Sequence, residues 1–433
     1  MRRTIKQQAA AVVVALVGSA GIAACSSASG GTPNLTWYIN PDGGGSDPTK
    51  GGQAQLAKEC TAASGGKYTI TIQQLPNSAS DQRIQLLRRL AAGDASMDLM
   101  SMDPVFVAEF AEAGYLAPVP ESMQAEFTQD RVQSAIDASK WQGKLVAVPF
   151  WANTQLLWYR KSVAAKAGLD MSKPVTWDQL ISAAQKTNTK IGVQSSLYEG
   201  YMVWINALIS GAGGKIVENP GARYDELKLG LDSQAGRDAA KIIQQVASTG
   251  VGGPAMGSST ETEALNLFQN TTTSGFLVNW PYTYAALTSA KVPFLNDIGW
   301  AMYPQTVAGE QSRPPFGGIE LGVGAKSSHQ DLAYQAAACI SNEKNQTTYM
   351  LGTGNPASRK AVFEEANVKK AFPMANLIQE SLQQAAPRPQ SQYYGDISSG
   401  IQQQFSPPSS VNQQTPAKAQ EFIVKVLNGK ALL

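Results

Sequence analysis

Short apolar runs alternate with stretches of helical spacing along the first third of the chain. Residues 35–39, LTWYI, predict a first strand that runs into a turn at Asn40, Pro41, Asp42 and Gly43. Residues 53–63 carry helical spacing, with Cys60 among them, and 68–72, YTITI, predict a second strand. Asp81 is placed to cap a helix over 82–92, whose Ile84, Leu87 and Leu90 would share one face. Residues 97–102, MDLMSM, predict a third strand entering Asp103 and Pro104, followed by a helix over 105–113 that stops at Gly114. This β-α-β-α-β rhythm predicts a doubly wound α/β lobe. Ligands of such sheets gather where the carboxyl ends of the strands open into a crevice. Asn40, Asp42 and Asp103 all fall at that edge.

The pattern then starts again. Residues 145–149 predict a strand leading into 150–154, and 155–159 predict another, so the chain leaves one unit and enters the next around 151–154. Thr176 with Gln179 three residues on predicts a capped helix start. Further helices are expected over 201–210, 235–247 and 260–268, with Tyr198 and Glu199 ahead of the first, either lining the second unit or capping. Residues 275–278 predict a strand ending in Asn279, Trp280 and Pro281. Alternation at Ile319, Leu321 and Val323 predicts a strand after Gly317 and Gly318, and 330–342 a helix carrying Cys339. The tail from 396 is rich in Gln, Ser and Pro and closes on an amphipathic helix over 418–427. No internal repeat is visible.

Composition narrows the chemistry. A chain of 433 residues, 43% of them hydrophobic, has material for two compact units with large cores. A net charge of +2 carries no basic balance that would point to nucleic acid. There is one histidine, His329, which reads as a surface residue near a helix start. That argues against His-triad hydrolysis, His-based zinc sites and haem ligation, and no metal, cofactor or catalytic residue is expected. The glycines at 43–45 lack the Gly-Lys-Ser/Thr ending of a phosphate loop, so a flexible turn is the reading there.

The first residues form a leader. Arg2, Arg3 and Lys6 precede an apolar core over 9–17, too short to span a membrane, and Ile22, Ala23 and Ala24 lead into Cys25. This resembles a bacterial lipobox, in which a peptidase cuts before the cysteine and the cysteine becomes the lipid-modified N-terminus; a plain secretory signal is the alternative. The resemblance implies a signal peptide over 1–25, a Ser/Gly-rich tether over 26–33, and anchoring to the outer face of the cell membrane through Cys25. Cys60 and Cys339 then remain. An even remainder in an exported protein suggests one disulfide, which would place an early and a late segment in the same domain; two buried thiols that never meet are the alternative.

Four segments carry a family likeness. Residues 98–103 (DLMSMD), 153–160 (NTQLLWYR), 278–281 (VNWP) and the pair Gly317 and Gly318 resemble, in this order, the extracellular sugar-binding lipoproteins of ABC importers, across essentially the whole mature chain. The likeness is strongest to the trehalose-binding type of actinobacteria, through 107–114 (VAEFAEAG), 153–160 and 386–389 (APRP). It implies a periplasmic-binding-protein fold of the maltose-binding-protein kind: two doubly wound α/β lobes joined by a hinge. The first lobe would hold 34–150 plus 315–352 and the second 154–310 plus 355–433, with the hinge near 151–154, 311–314 and 353–354. It also implies a monomeric receptor that captures a disaccharide, trehalose first, in the interlobe cleft and delivers it to the permease subunits of the importer. Maltose-type α-glucosides, glycerophosphodiesters and, further off, hydrolysis of a glycoside by two carboxylates are the alternatives.

A sugar presents hydroxyls that donate and accept, and apolar C–H faces, so its cleft needs carboxylates and amides around indole rings. Asp103 resembles the family's hydroxyl acceptor, with a helix cap as its plainer role. Asn153 matches the ligand asparagine, against a turn residue, and Trp280, beside Asn279, the stacking platform, against a core indole. Glu261 matches a family carboxylate loosely, with Glu263 competing for the role. Gly318 would allow close backbone approach of a hydroxyl. Arg388, between two prolines, could fork onto vicinal hydroxyls or pair with a cleft carboxylate. Asn40, Asp42 and Glu199 are weaker candidates, and Trp151 either stacks on the ligand or packs the hinge.

Overall fold

The structure, a computed structural model, describes residues 31–41 and 45–433; the leader expected over 1–25 with Cys25, the expected tether as far as residue 30, and Asp42 lie outside the described residues. Apolar strands too short to bury themselves are gathered into two main sheets. The first has five strands in the order Thr69–Gln74, Asn34–Ile39, Leu99–Met102, Phe316–Val323 and Val148–Thr154. The first three are parallel, and the last two enter antiparallel to their neighbours. Every residue of Leu99–Met102 and of Val148–Thr154 is buried, which follows from helices covering both faces of the sheet. The second sheet runs Ile298–Ala301, Leu156–Arg160, Ser274–Asn279 and Lys190–Gly192. Two α/β lobes result.

The chain changes sheets abruptly. Gln155 alone separates Val148–Thr154 in the first sheet from Leu156–Arg160 in the second. The return comes between Ile298–Ala301 and Phe316–Val323. After helix Glu343–Thr353 the chain is shared between the two sides. Helix Ala375–Gln384 packs on Val148–Thr154 and on helix Gln133–Ala138, whereas Tyr394–Phe405 and Thr415–Leu427 pack on Glu199–Gly211 and Gln234–Ser248.

Local chemistry explains where helices begin. Thr176 and Gln179 form a reciprocal capping box at helix Trp177–Thr187, as their spacing predicts. The helix expected over 82–92 instead spans Ala79–Ala91, because the Ser78 hydroxyl accepts the Asp81 N–H and caps it; Asp81 lies in the first turn. Its buried face follows Gln82, Leu86 and Leu90 at a spacing of four, leaving Ile84 39% exposed. The helix expected from 105 begins as a short 3-10 turn, Pro104–Phe106, and continues as Val107–Glu112.

Cys60 and Cys339 are bonded, with Cα atoms 5.8 Å apart across 279 residues of sequence. The bridge joins helices Gln53–Ala63 and Gln330–Ile340, which pack together beside the first sheet. Among the described residues, no helix is long and apolar enough to cross a membrane.

Candidate functional site

Strands of both sheets end at one cleft of about 570 Å³. Asn40 follows the first strand and Asp103 the third; Trp151 and Asn153 lie on Val148–Thr154, and Gly317 and Gly318 on Phe316–Val323. From the other side come Tyr198 and Glu199 at one helix start, Glu261 at another, and Trp280 and Tyr282 beyond Ser274–Asn279. Arg388 closes the group from the segment before helix Tyr394–Phe405. Ten of the residues singled out from the sequence thus share one gap: Asn40, Asp103, Trp151, Asn153, Tyr198, Glu199, Glu261, Trp280, Gly318 and Arg388.

Arg388 organises the polar end. Its Nη2 donates to Asp103 Oδ1 at 2.8 Å and its Nη1 to Glu199 Oε1 at 2.5 Å; its Nε is buried with no partner among the described residues. Burial works against the charge, but Asp103, Tyr394 and Glu199 outweigh it and hold the guanidinium pKa above its usual value. Asp103 also accepts the Val105 N–H at 3.2 Å, so it is both a helix cap and a cleft carboxylate. Glu199 is saturated. Beside Arg388, its oxygens take the hydroxyls of Tyr394 and of Ser398 (2.7 Å) and the amide of Gln402 (3.4 Å). Burial pushes its pKa up, opposed by the Arg388 charge. Its carboxylate is therefore spent on the protein itself, and a ligand would meet it through Arg388.

The aromatic end is built on glycine. The Trp280 indole lies against Gly317, where an added Cβ would stand 3.1 Å from Cη2. Gly318 has φ of +134° beside a register irregularity at Ile319/Glu320, and a Cβ there would meet Trp151 O at 2.3 Å. Asn279 does not line the cleft. It is buried, accepting the Trp280 N–H at 2.8 Å and donating to Glu261 O at 3.0 Å, so it braces two cleft residues from behind. Glu261 Oε2 accepts the Tyr198 hydroxyl at 2.7 Å. Burial, then the Glu261 charge, push the Tyr198 phenol far above its usual pKa and keep it a donor. Glu263 is exposed and closes a capping box on Thr260, which explains why only Glu261 faces the gap. Asn153 Oδ1 takes the Thr154 N–H at 3.0 Å, and its amide N–H groups have no partner among the described residues.

Tyr282, Asn77, Gln82 and Asn355 also line the cleft and were not singled out from the sequence. Tyr282 was the readable one, two residues beyond Trp280 at the start of helix Tyr282–Ser289; the two asparagines lie in loops with no periodic signal. Arg388 is the one Lys or Arg among the described lining residues, against Asp103, Glu199 and Glu261. No group of three or more His, Cys, Asp or Glu among the described residues could hold a metal ion.

The sequence pattern of the bacterial extracellular solute-binding proteins matches residues 47–347. A probable ABC transporter-binding protein of Deinococcus radiodurans is 26% identical over 370 residues, 82% of this chain and 83% of that protein. Among solved structures, a maltose-bound protein of T. maritima superposes with a TM-score of 0.77 at 22% identity, over 92% of this chain and 100% of the other. UgpB of Mycobacterium tuberculosis, in complex with glycerophosphocholine, gives 0.72 at 17% over 92% and 99%. These likenesses establish a fold of the maltose-binding-protein kind.

Proposed function

We propose, from the premise that this chain belongs to the bacterial extracellular solute-binding protein family, that it is the receptor of an ABC importer for a neutral disaccharide, with trehalose the first candidate. In this reading the sugar is held between the lobes and passed unaltered to the permease, and the receptor is tethered outside the cell by a lipid on Cys25. The observation that carries it is the pairing of chemistries across one gap. Trp280, Tyr282 and Trp151 offer apolar faces to C–H patches, while Asp103, Asn153 and Glu261 offer groups to hydroxyls. A buried hydroxyl left unpaired costs about 1–3 kcal/mol, which is what makes such a set selective.

The charge balance bears on the alternatives. A cation would favour the phosphate of a glycerophosphodiester, yet both terminal nitrogens of Arg388 are already paired with carboxylates. A maltose-type glucoside fits the same chemistry as trehalose, and linkage is decided by shape. The test is calorimetry with trehalose, maltose, glycerophosphocholine and aryl glycosides. Binding of a neutral disaccharide without release of glucose is expected. Preference for glycerophosphocholine, or turnover of a glycoside, would overturn the reading.

A further inference from the structure

The lobes also meet outside the cleft. Arg83, on the first-lobe helix Ala79–Ala91, is held by a two-point ion pair to Glu109, Nε to Oε2 and Nη2 to Oε1, each 2.5 Å. Its guanidinium lies over Gly395, the second residue of the second-lobe helix Tyr394–Phe405. A Cβ at Gly395 would stand 2.8 Å from Cζ and 2.9 Å from Nη2 of Arg83. Next along the same line, Phe106 of the first lobe meets Tyr394 edge to face, with ring centroids 6.0 Å apart. Then comes Asp103, reaching Arg388. One row of contacts therefore runs from the Arg83 contact into the cleft.

Gly395 calls for an explanation. Its backbone does not have the positive φ that favours glycine, and glycine weakens a helix relative to almost any other residue. What the missing side chain provides is room for a guanidinium that Glu109 prevents from swinging away. Neither Arg83 nor Gly395 lines the cleft.

We propose that Arg83 and Gly395 are positioning residues for ligand binding: the bare helix surface at Gly395 seats the Glu109-held guanidinium, and this seat sets how closely the lobes approach, and hence where Asp103 meets Arg388. The proposal rests on the reading that the ligand is held between the lobes. A side chain at position 395 acts as a wedge, and removing the Arg83 side chain relieves it.

The experiment compares the full chain with Gly395→Leu, Arg83→Ala and the double variant. Small-angle X-ray scattering of the free proteins reads lobe separation without any ligand. Gly395→Leu shifts the pair-distance distribution to longer distances, and adding Arg83→Ala returns it to the wild-type profile. Affinity for whichever disaccharide the wild type binds falls about tenfold or more in Gly395→Leu and recovers in the double variant. A melting curve checks that each variant is folded; should Gly395→Leu fail, Gly395→Ala carries the same sign with a smaller shift. Unchanged scattering in the folded position-395 variants overturns the proposal, as does a shift that Arg83→Ala does not relieve. A wild type that binds no disaccharide refutes the receptor reading, and the scattering still decides the seat.

Discussion

Trp280 and Glu199 both line the cleft, yet they face opposite situations. The indole is held by its backbone and by the bare surface of Gly317, and it stays partly exposed along the cleft. Trp280→Ala removes that face and leaves Asn279 to brace the turn; affinity is expected to fall by about 2 kcal/mol, roughly 30-fold, with little change in melting temperature, as calorimetry and a thermal melt would show. Glu199 has no oxygen left to offer, since four protein donors surround it. Glu199→Gln therefore acts first on stability, by about 3 kcal/mol in a urea titration, because it leaves Arg388 buried with half its compensation. The acidic pair on the neighbouring helix gives a sharper contrast. Glu261→Gln weakens ligand binding, whereas Glu263→Ala loses only its side of the Thr260 capping box, about 1 kcal/mol of stability, with unchanged affinity.

Elements were legible where a local rule fixes them and hidden where a distant partner does. The Thr176/Gln179 box and the strand ends that deliver Asn40 and Asp103 depend on neighbours a few residues away. Strand Lys190–Gly192 has only three residues and exists because Ser274–Asn279 pairs with it, and helix Tyr394–Phe405 hides in a tail rich in Gln and Ser because its apolar residues are sparse. The site followed the same division. Strand-end acids were readable, but Asn279 turns inward onto the Glu261 carbonyl, 18 residues back, and Glu199 is filled by Tyr394 and Ser398, almost 200 residues further along. Strand Phe316–Val323 carries another such contact. Glu320 is fully buried, and burial pushes its carboxyl up to about 8 against the Ser139 hydroxyl and the Arg131 charge. Ser139 Oγ lies 2.9 Å from Ala135 O and 2.5 Å from Glu320 Oε2, and its single proton cannot serve both, which favours a protonated Glu320. Between the usual 4.5 and about 8 the folded carboxyl keeps a proton that the unfolded one has lost, so its contribution to stability falls as pH rises through that window. Urea titrations from about pH 5 to pH 9 should show Glu320→Gln gaining on the wild type with pH, by up to about 1.4 kcal/mol per unit; a constant difference would refute a raised pKa.

At the scale of the molecule, covalent and ligand-borne constraints act in different places. The Cys60–Cys339 bridge joins two helices on one side of the first sheet, and neither cysteine lines the cleft. Closing a loop across 279 residues restricts the unfolded chain heavily, and removing the bridge with Cys60→Ser and Cys339→Ser should cost about 2–5 kcal/mol. That loss belongs to the first lobe, whose strands keep their order in the folded state, so the cleft residues stay in register and affinity should remain within about twofold of wild type. A bound sugar acts the other way. On the proposed reading it touches both lobes and stabilises only the arrangement in which they face each other, adding about 2.7 kcal/mol at 100 times its dissociation constant. Scanning calorimetry of the bridged and unbridged proteins, each with and without ligand, separates the two effects. The expected result is a lower melting temperature without the bridge and a similar ligand-induced rise in both. A ligand-induced rise that vanishes with the bridge would mean that the disulfide shapes the cleft, contrary to its position.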